Sequence, residues 1–350
     1  MNEGFKKFLT ASEKNRADAL LAASQRLGAN AQYVEKDFWV CWTLDVLYHG
    51  LPSGGPRLLF KGGTSLSKGY GLINRFSEDI DITAFRQDLN QAASAEELEK
   101  LNKTKRQQKL DAIRDACRTW VQGALRQGVA QRIVEYAGET GRVELDDTDR
   151  DGQTLLVFYP SIVRAEADYV RPAVRIECGA KSALDPHAET TIRPYIAEEV
   201  ADLKISVPKV TTIEPTRSFW DKAVIAHGLR RWFERRGELR QEGQRISRHY
   251  YDLHCLLNSA AGRAALAAEN LAIDCVRHAR LFFDRPDFDL ASAQPGSWAI
   301  EPSVAMLERL QADYAKTMAM IFGTAPKFEE IMASVKKIND SINKTASSAA

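Results

Sequence analysis

The sequence predicts an α+β protein with β-type segments in its first two-thirds and a helical last third. Two observations carry this. Short runs of branched and aromatic residues recur as far as Ile213, and beyond Pro215 apolar residues recur at helical spacing with little β signal. A chain of 350 residues also exceeds the usual length of one compact domain, which points to two lobes, residues 1–214 and 215–345.

Taken in order, the first fifty residues read as helices, with Phe5, Phe8 and Leu9 followed by Val34, Phe38, Cys41, Trp42 and Val46 near helical spacing. Pro52-Ser53-Gly54-Gly55-Pro56 breaks the pattern. Strands are expected at Arg57 to Lys61, Ile80 to Ala84, Thr154 to Tyr159, Val174 to Cys178 and Ile205 to Ile213. Pro208 in the last of these favours a sheet edge. The polar, proline-free segment Ala95 to Gln127 reads as one helix. In the second lobe, helices are expected at Thr216 to Arg236, Ser247 to Asn258, Leu271 to Phe283 and Ser303 to Phe322. The Ser- and Ala-rich end, Asn343 to Ala350, is expected to fray.

The net charge is +1, from 48 Lys and Arg against 47 Asp and Glu. That excludes a globally polybasic nucleic-acid coat and an acidic disordered chain. Locally the charge is segregated. Lys100 to Arg132 carries nine basic and two acidic residues, and Arg217 to Arg248 nine against four, while Glu135 to Asp151 carries seven acidic against two basic. The basic stretches read either as solvated helix faces or as walls flanking a polyanion. Five dispersed cysteines without C-x-x-C suggest neither a disulfide framework nor a cysteine zinc site. The start, Met1 to Lys7, lacks the apolar stretch of a signal peptide, and no uncharged run approaches a membrane span, so a soluble, cytoplasmic protein without a membrane partner is expected.

Chemistry concentrates in Leu58-Leu59-Phe60-Lys61-Gly62-Gly63-Thr64-Ser65-Leu66-Ser67-Lys68 and Arg75-Phe76-Ser77-Glu78-Asp79-Ile80-Asp81-Ile82-Thr83. A strand running into Gly62-Gly63 lets backbone N–H groups approach a phosphate, and Thr64, Ser65 and Lys68 can add hydroxyls and charge. A P-loop is excluded because Ser67 and Gly69 break its pattern. Alternation along a strand puts Asp79 and Asp81 on one face, where two like charges call for a cation, and oxygen ligands suit Mg²⁺ or Mn²⁺. Glu177, on an apolar strand, is the candidate third acid of the metal site, or else a partner for Arg175 or Arg171. Lys222 opens a helix either as a surface lysine or as a charge for a triphosphate, and Arg248 and Asp252 stand at i,i+4 spacing, compatible with a simple ion pair. Ser77, two residues before Asp79, is either a turn residue or a place where a phosphate would silence the site.

Glu35-Lys36-Asp37-Phe38-Trp39-Val40, Lys61 to Lys68, Phe76 to Asp81, Phe219-Trp220-Asp221-Lys222 and Arg248-His249-Tyr250-Tyr251-Asp252-Leu253 together resemble the AbiEii family of nucleotidyltransferase toxins, relatives of the MenT toxins. The resemblance spans roughly residues 30 to 260. It implies a DNA polymerase β-like minimal nucleotidyltransferase core in residues 1–214, with a helical N-terminal segment, and a helical C-terminal lobe in 215–345. It further implies an NTP-using toxin of a toxin–antitoxin or abortive infection system, with a cognate antitoxin encoded nearby and nucleotide transfer to an RNA acceptor, the tRNA 3′ end. Carried over, Gly62, Gly63 and Ser65 form the phosphate turn, Asp79 and Asp81 the metal pair, and Lys222 and Asp252 the functional positions of the later motifs. The sixteen-residue step from Gly63 to Asp79 departs from the usual spacing and leaves room for a longer helix after the turn. Other acceptors, a protein or a small molecule, and an inactive binding module of the same fold are the competing readings.

Overall fold

The computed structural model describes residues 1–163, 171–240 and 245–344. It has a mixed α and β fold: a seven-stranded mixed sheet and a helical C-terminal region. Helices α1 (Glu3–Thr10), α2 (Glu13–Leu27) and α3 (Ala31–Asp45) come first, each begun by a side-chain cap from Asn2, Ser12 and Asn30 respectively. The strands are β1 (Leu58–Lys61), β2 (Asp79–Ala84), β3 (Arg142–Leu145), β4 (Thr154–Phe158), β5 (Ala173–Gly179), β6 (His187–Ile192) and β7 (Val207–Ile213), in the order β3-β4-β5-β2-β1-β7-β6. β1 runs antiparallel to β2, and β2 parallel to β5. Helix α3 packs against β2, β5 and β7, and it buries Phe38, Trp39 and Trp42 among Phe5, Phe8 and Tyr159.

Two strands were not expected, and both lie at sheet edges. β3 buries only Val143 and β6 only Ile192, so neither carries the apolar signal of a half-buried strand. Conversely, β7 is not an edge strand. Pro208 is tolerated because β1 meets β7 only at Phe60 opposite Thr212, so the ring lies beyond the end of the shorter strand.

The expected single helix from Ala95 to Gln127 is broken. α4 (Gly62–Thr64) is a short piece after β1, α5 (Ala95–Glu99) ends near Lys100, and α6 (Lys103–Trp120) restarts with Asn102 as its cap. A wider π-type turn, Val121–Leu125, then leads into α7 (Arg126–Ala137). The later helices are α8 (Pro215–Arg236), α9 (Ser247–Leu257), α10 (Ala260–Ala267), α11 (Glu269–Phe282), α12 (Val304–Met318) and α13 (Phe328–Lys344). α13 carries the buried apolar stripe Ile331, Val335, Ile338 and Ile342. Asn343, expected to fray, exchanges hydrogen bonds with the Trp298 backbone, and the rest of that expectation, residues 345–350, lies outside the described residues. No described helix is long and apolar enough to cross a membrane.

The chain divides into two units. The first gathers Met1–Tyr70, Phe76–Ala93 and Leu101–Ile213, and the second Gly71–Arg75, Ser94–Lys100 and Glu214–Ala350. The main break falls next to Glu214, but two short pieces of the earlier chain belong with the helices. Side chains explain both: Arg75 is buried on Asp252, and Glu96 and Glu99 grip Arg277.

Candidate active site

In the sheet unit, the burial of β2 alternates, so Ile80 and Ile82 enter the core while Asp79 and Asp81 share the other face. The parallel register sets Asp81 beside Glu177 and Asp79 beside Arg175. Both readings of Glu177 meet here, since its carboxylate neighbours the acidic pair and is also 3.2 Å from Arg175. Lys61, opposite Asp81 on β1, places its Nζ 3.7 Å from that carboxylate. Burial raises the Asp79 carboxyl to about 7, and the negative charges of Glu78, Glu177 and Asp81 add to the rise against Arg175.

Gly62 joins β1 to this face. Its φ of +81° lies in the left-handed region, and a Cβ on it would sit 1.9 Å from Asp81 Oδ2. Only glycine lets the strand turn so close to the carboxylate. Gly63 follows within α4, and the helix then widens into a π-type turn that ends at Gly69. The hydroxyls of the turn are engaged within the protein. Thr64 Oγ1 donates to the Asp79 carbonyl at 2.5 Å and lies 2.7 Å from Ser77 Oγ, while Ser65 Oγ donates to the Gly62 carbonyl at 2.9 Å. Thr64 thus ties the glycine turn to the start of the acidic strand. Lys68 turns inward, 2.7 Å from the buried Asp37 and over the ring of Tyr195.

The sixteen-residue step is not filled by a longer helix. After Gly69 the chain leaves for the helical unit, where Gly71–Arg75 is housed, and returns at Phe76. In that unit Lys222 Nζ is 2.7 Å from Asp252 Oδ2, and Arg75 makes a two-pronged contact with the same carboxylate at 2.8 and 2.9 Å. Asp252 is therefore held by Arg75 and Lys222, and no ion pair to Arg248 forms among the described residues. Burial alone would raise the Asp252 carboxyl, but the two cations outweigh it and hold it below the usual carboxylate range. Burial lowers the Lys222 ammonium; Asp252 opposes this and Arg75 adds to it.

Sequence reasoning assigned no part to Arg75, and nothing local in the sequence marks a partner 177 residues away. A signal did exist for α3. Glu35, Lys36 and Asp37 are three consecutive charges inside a buried helix, and each is matched: Glu35 by Ser161 and the Ile162 N–H, Lys36 by Glu78 at 2.5 Å, and Asp37 by Lys68 and the Tyr195 N–H. The two basic stretches differ. Arg217, Arg230, Arg231, Arg235 and Arg236 all have acidic partners, among them Asp274, Asp287 and Asp289. On α6, Lys103, Lys105 and Arg106 have no ion-pair partner among the described residues.

Among those residues, no three His, Cys, Asp or Glu side chains form a ready metal cage. The donor set nevertheless fits a hard divalent cation. Asp79 and Asp81 offer only oxygen, share a strand face, and stand near the further carboxylates Glu78 and Glu177, whose charge adds to the rise that burial imposes on Asp79.

Residues 45–334 match the family described as "Nucleotidyl transferase AbiEii toxin, Type IV TA system". No curated protein matches. Among solved structures, MenT4, a nucleotidyltransferase toxin of Mycobacterium tuberculosis H37Rv, aligns over 92% of this chain and 97% of its own at 14% identity, with a TM-score of 0.44.

Proposed function

The chain belongs to the AbiEii family of nucleotidyltransferase toxins of type IV toxin–antitoxin systems, and on that premise we propose that it moves a nucleoside monophosphate from an NTP to an RNA 3′ end, that of tRNA. Membership of such a system implies a cognate antitoxin. We read the sheet unit as a DNA polymerase β-like minimal nucleotidyltransferase core. The observation that carries the reading is the acidic face of β2 set directly against the glycine turn, with Gly62 backed onto Asp81.

In this mechanism Asp79 and Asp81 would hold Mg²⁺ or Mn²⁺, with Glu177 as the candidate third oxygen donor. The bound cation would supply Lewis-acid stabilisation of the phosphoryl oxygens and activation of the attacking hydroxyl. The chain's own groups orient the substrate. Backbone N–H groups at Gly62 and Gly63 take phosphate oxygens, and Thr64 and Ser65 keep that turn in shape through the hydrogen bonds they make. Lys222 is assigned the β- and γ-phosphates as a point charge, with Asp252 setting its position. Lys68, paired with the buried Asp37, anchors the end of the turn to α3.

Support for an RNA acceptor comes from the N-terminal half of α6, where Lys103, Lys105 and Arg106 present positive charge that no acid of the described residues neutralises. The arginines of α8 contribute less than their number suggests, because intramolecular acids hold them. The test is a panel of labelled NTPs with purified tRNA, total RNA and RNA-free lysate, in Mg²⁺ and in Mn²⁺. A one-nucleotide extension of tRNA is expected. Label that appears only in the RNA-free lysate would move the acceptor to a protein or small molecule, and no incorporation under any condition would overturn the reading.

A further inference from the structure

The segment Gly71–Arg75 is too short to form a core, yet it is seated in the helical unit with care. Ile73 is buried, the Asn74 carbonyl accepts from the Phe322 N–H at 2.8 Å, and Arg75 makes an isolated antiparallel bridge to Ile321. Its last residue is the one with chemistry. Arg75 is 5% exposed and spends its guanidinium on both oxygens of Asp252.

That contact changes the charge available to Lys222. A lone Lys222–Asp252 pair would be neutral and would offer an incoming anion little. With Arg75 present, one carboxylate faces two cationic side chains, Arg75 and Lys222, and the buried cluster carries a net positive charge. The solvent-facing end of that surplus is Lys222, whose side chain retains 10% exposure while Asp252 retains none. Beside it the buried Nδ1 of His249 has no hydrogen-bond partner among the described residues. A low-exposure group of cations with one acid too few is costly unless an anion completes it.

We propose that Arg75 is a positioning residue for nucleotide transfer: by sharing Asp252, it leaves Lys222 with charge for the terminal phosphates of the NTP. The long step between the glycine turn and the acidic strand then has a purpose, since it delivers Arg75 to the helical unit. This rests on the assignment of Lys222 to the triphosphate.

Pyrophosphate, the product that carries those phosphates, is the probe, and its affinity is measured by calorimetry on the full chain in Mg²⁺, together with KM and kcat for the NTP. Arg75→Gln leaves a neutral Lys222–Asp252 pair, and pyrophosphate affinity is expected to fall about tenfold or more. KM should rise in step, with kcat changed far less. Arg75→Lys keeps the charge and should stay near wild type. The double variant Arg75→Gln/Asp252→Asn deletes one charge of each sign, returns the surplus to Lys222, and should regain most of the lost affinity. A purely structural role for Arg75 would instead make the double variant bind no better than the single one, and that result overturns the proposal. If Arg75→Gln does not fold, as judged by circular dichroism, the comparison passes to Arg75→Lys and the double variant, and a loss of binding in either folded protein overturns the proposal. Lys222→Met separates the two levels. If it binds pyrophosphate as the wild type does, the triphosphate assignment itself fails. If it loses binding while Arg75→Gln does not, only the part given to Arg75 fails.

Discussion

Gly62 is held by two constraints at once, a left-handed backbone and an acidic side chain where its own Cβ would have to be. Gly62→Ala therefore has to move either the turn or Asp81. Strain of about 1–3 kcal/mol is expected, and nucleotide incorporation should drop about a hundredfold, the scale of a 1 Å misplacement. The check is the rate of incorporation beside the circular dichroism of the variant; near-normal activity would show that Gly62 does not set the site's geometry. The D-x-D face was legible because a strand's two-residue period needs no tertiary information. Glu177 was half legible, since the sequence left both the acidic pair and Arg175 open, and the register of β5 on β2 brings it near both. Arg75 was not legible, because its meaning depends on a carboxylate in the other part of the chain.

At the scale of elements, α3 is held by charge as well as by its aromatic face. Lys68 and Asp37 are each about 5% exposed, so Lys68→Ala leaves a buried carboxylate without its cation. A loss of about 3–5 kcal/mol in denaturant unfolding is expected, with part of it recovered by Lys68→Ala/Asp37→Asn. A loss below about 1 kcal/mol, the range of surface pairs, would contradict a buried structural pair. Elements with a buried apolar face, such as β2, β5 and α8, lay close to where the pattern put them. The edge strands β3 and β6 did not, because an edge needs no apolar alternation, and Pro208 misled because the shortness of β1 cannot be read from β7. The break between α5 and α6 was hidden in a proline-free run, where Asn102 marks the new start only through its cap.

Across the whole molecule, the near-zero net charge conceals groups that matter one at a time. Asp252 is held below the ordinary carboxylate range, so below about pH 4 the unfolded chain binds a proton at this position that the folded chain refuses. Its contribution to stability is complete above that pH and is lost as the pH falls toward the folded value. Denaturant unfolding from pH 7 to pH 2 should show this loss. Asp252→Asn should be less stable at neutral pH, since Arg75 and Lys222 then face each other unpaired, but should have a shallower acid slope. An unchanged slope would mean that Asp252 is not the titrating group.

Charge segregation was visible in the sequence, yet its use was not. The α8 arginines find Asp274, Asp287 and Asp289, which lie well along the chain, whereas the basic start of α6 finds no such partners. The acidic face of β2 remains the centre of the functional reading, and one measurement addresses it directly: incorporation of labelled nucleotide into tRNA by wild type and by Asp79→Ala, with folding monitored in both. The expected result is extension by the wild type and none by a folded Asp79→Ala. Full activity in the folded variant would contradict the assignment.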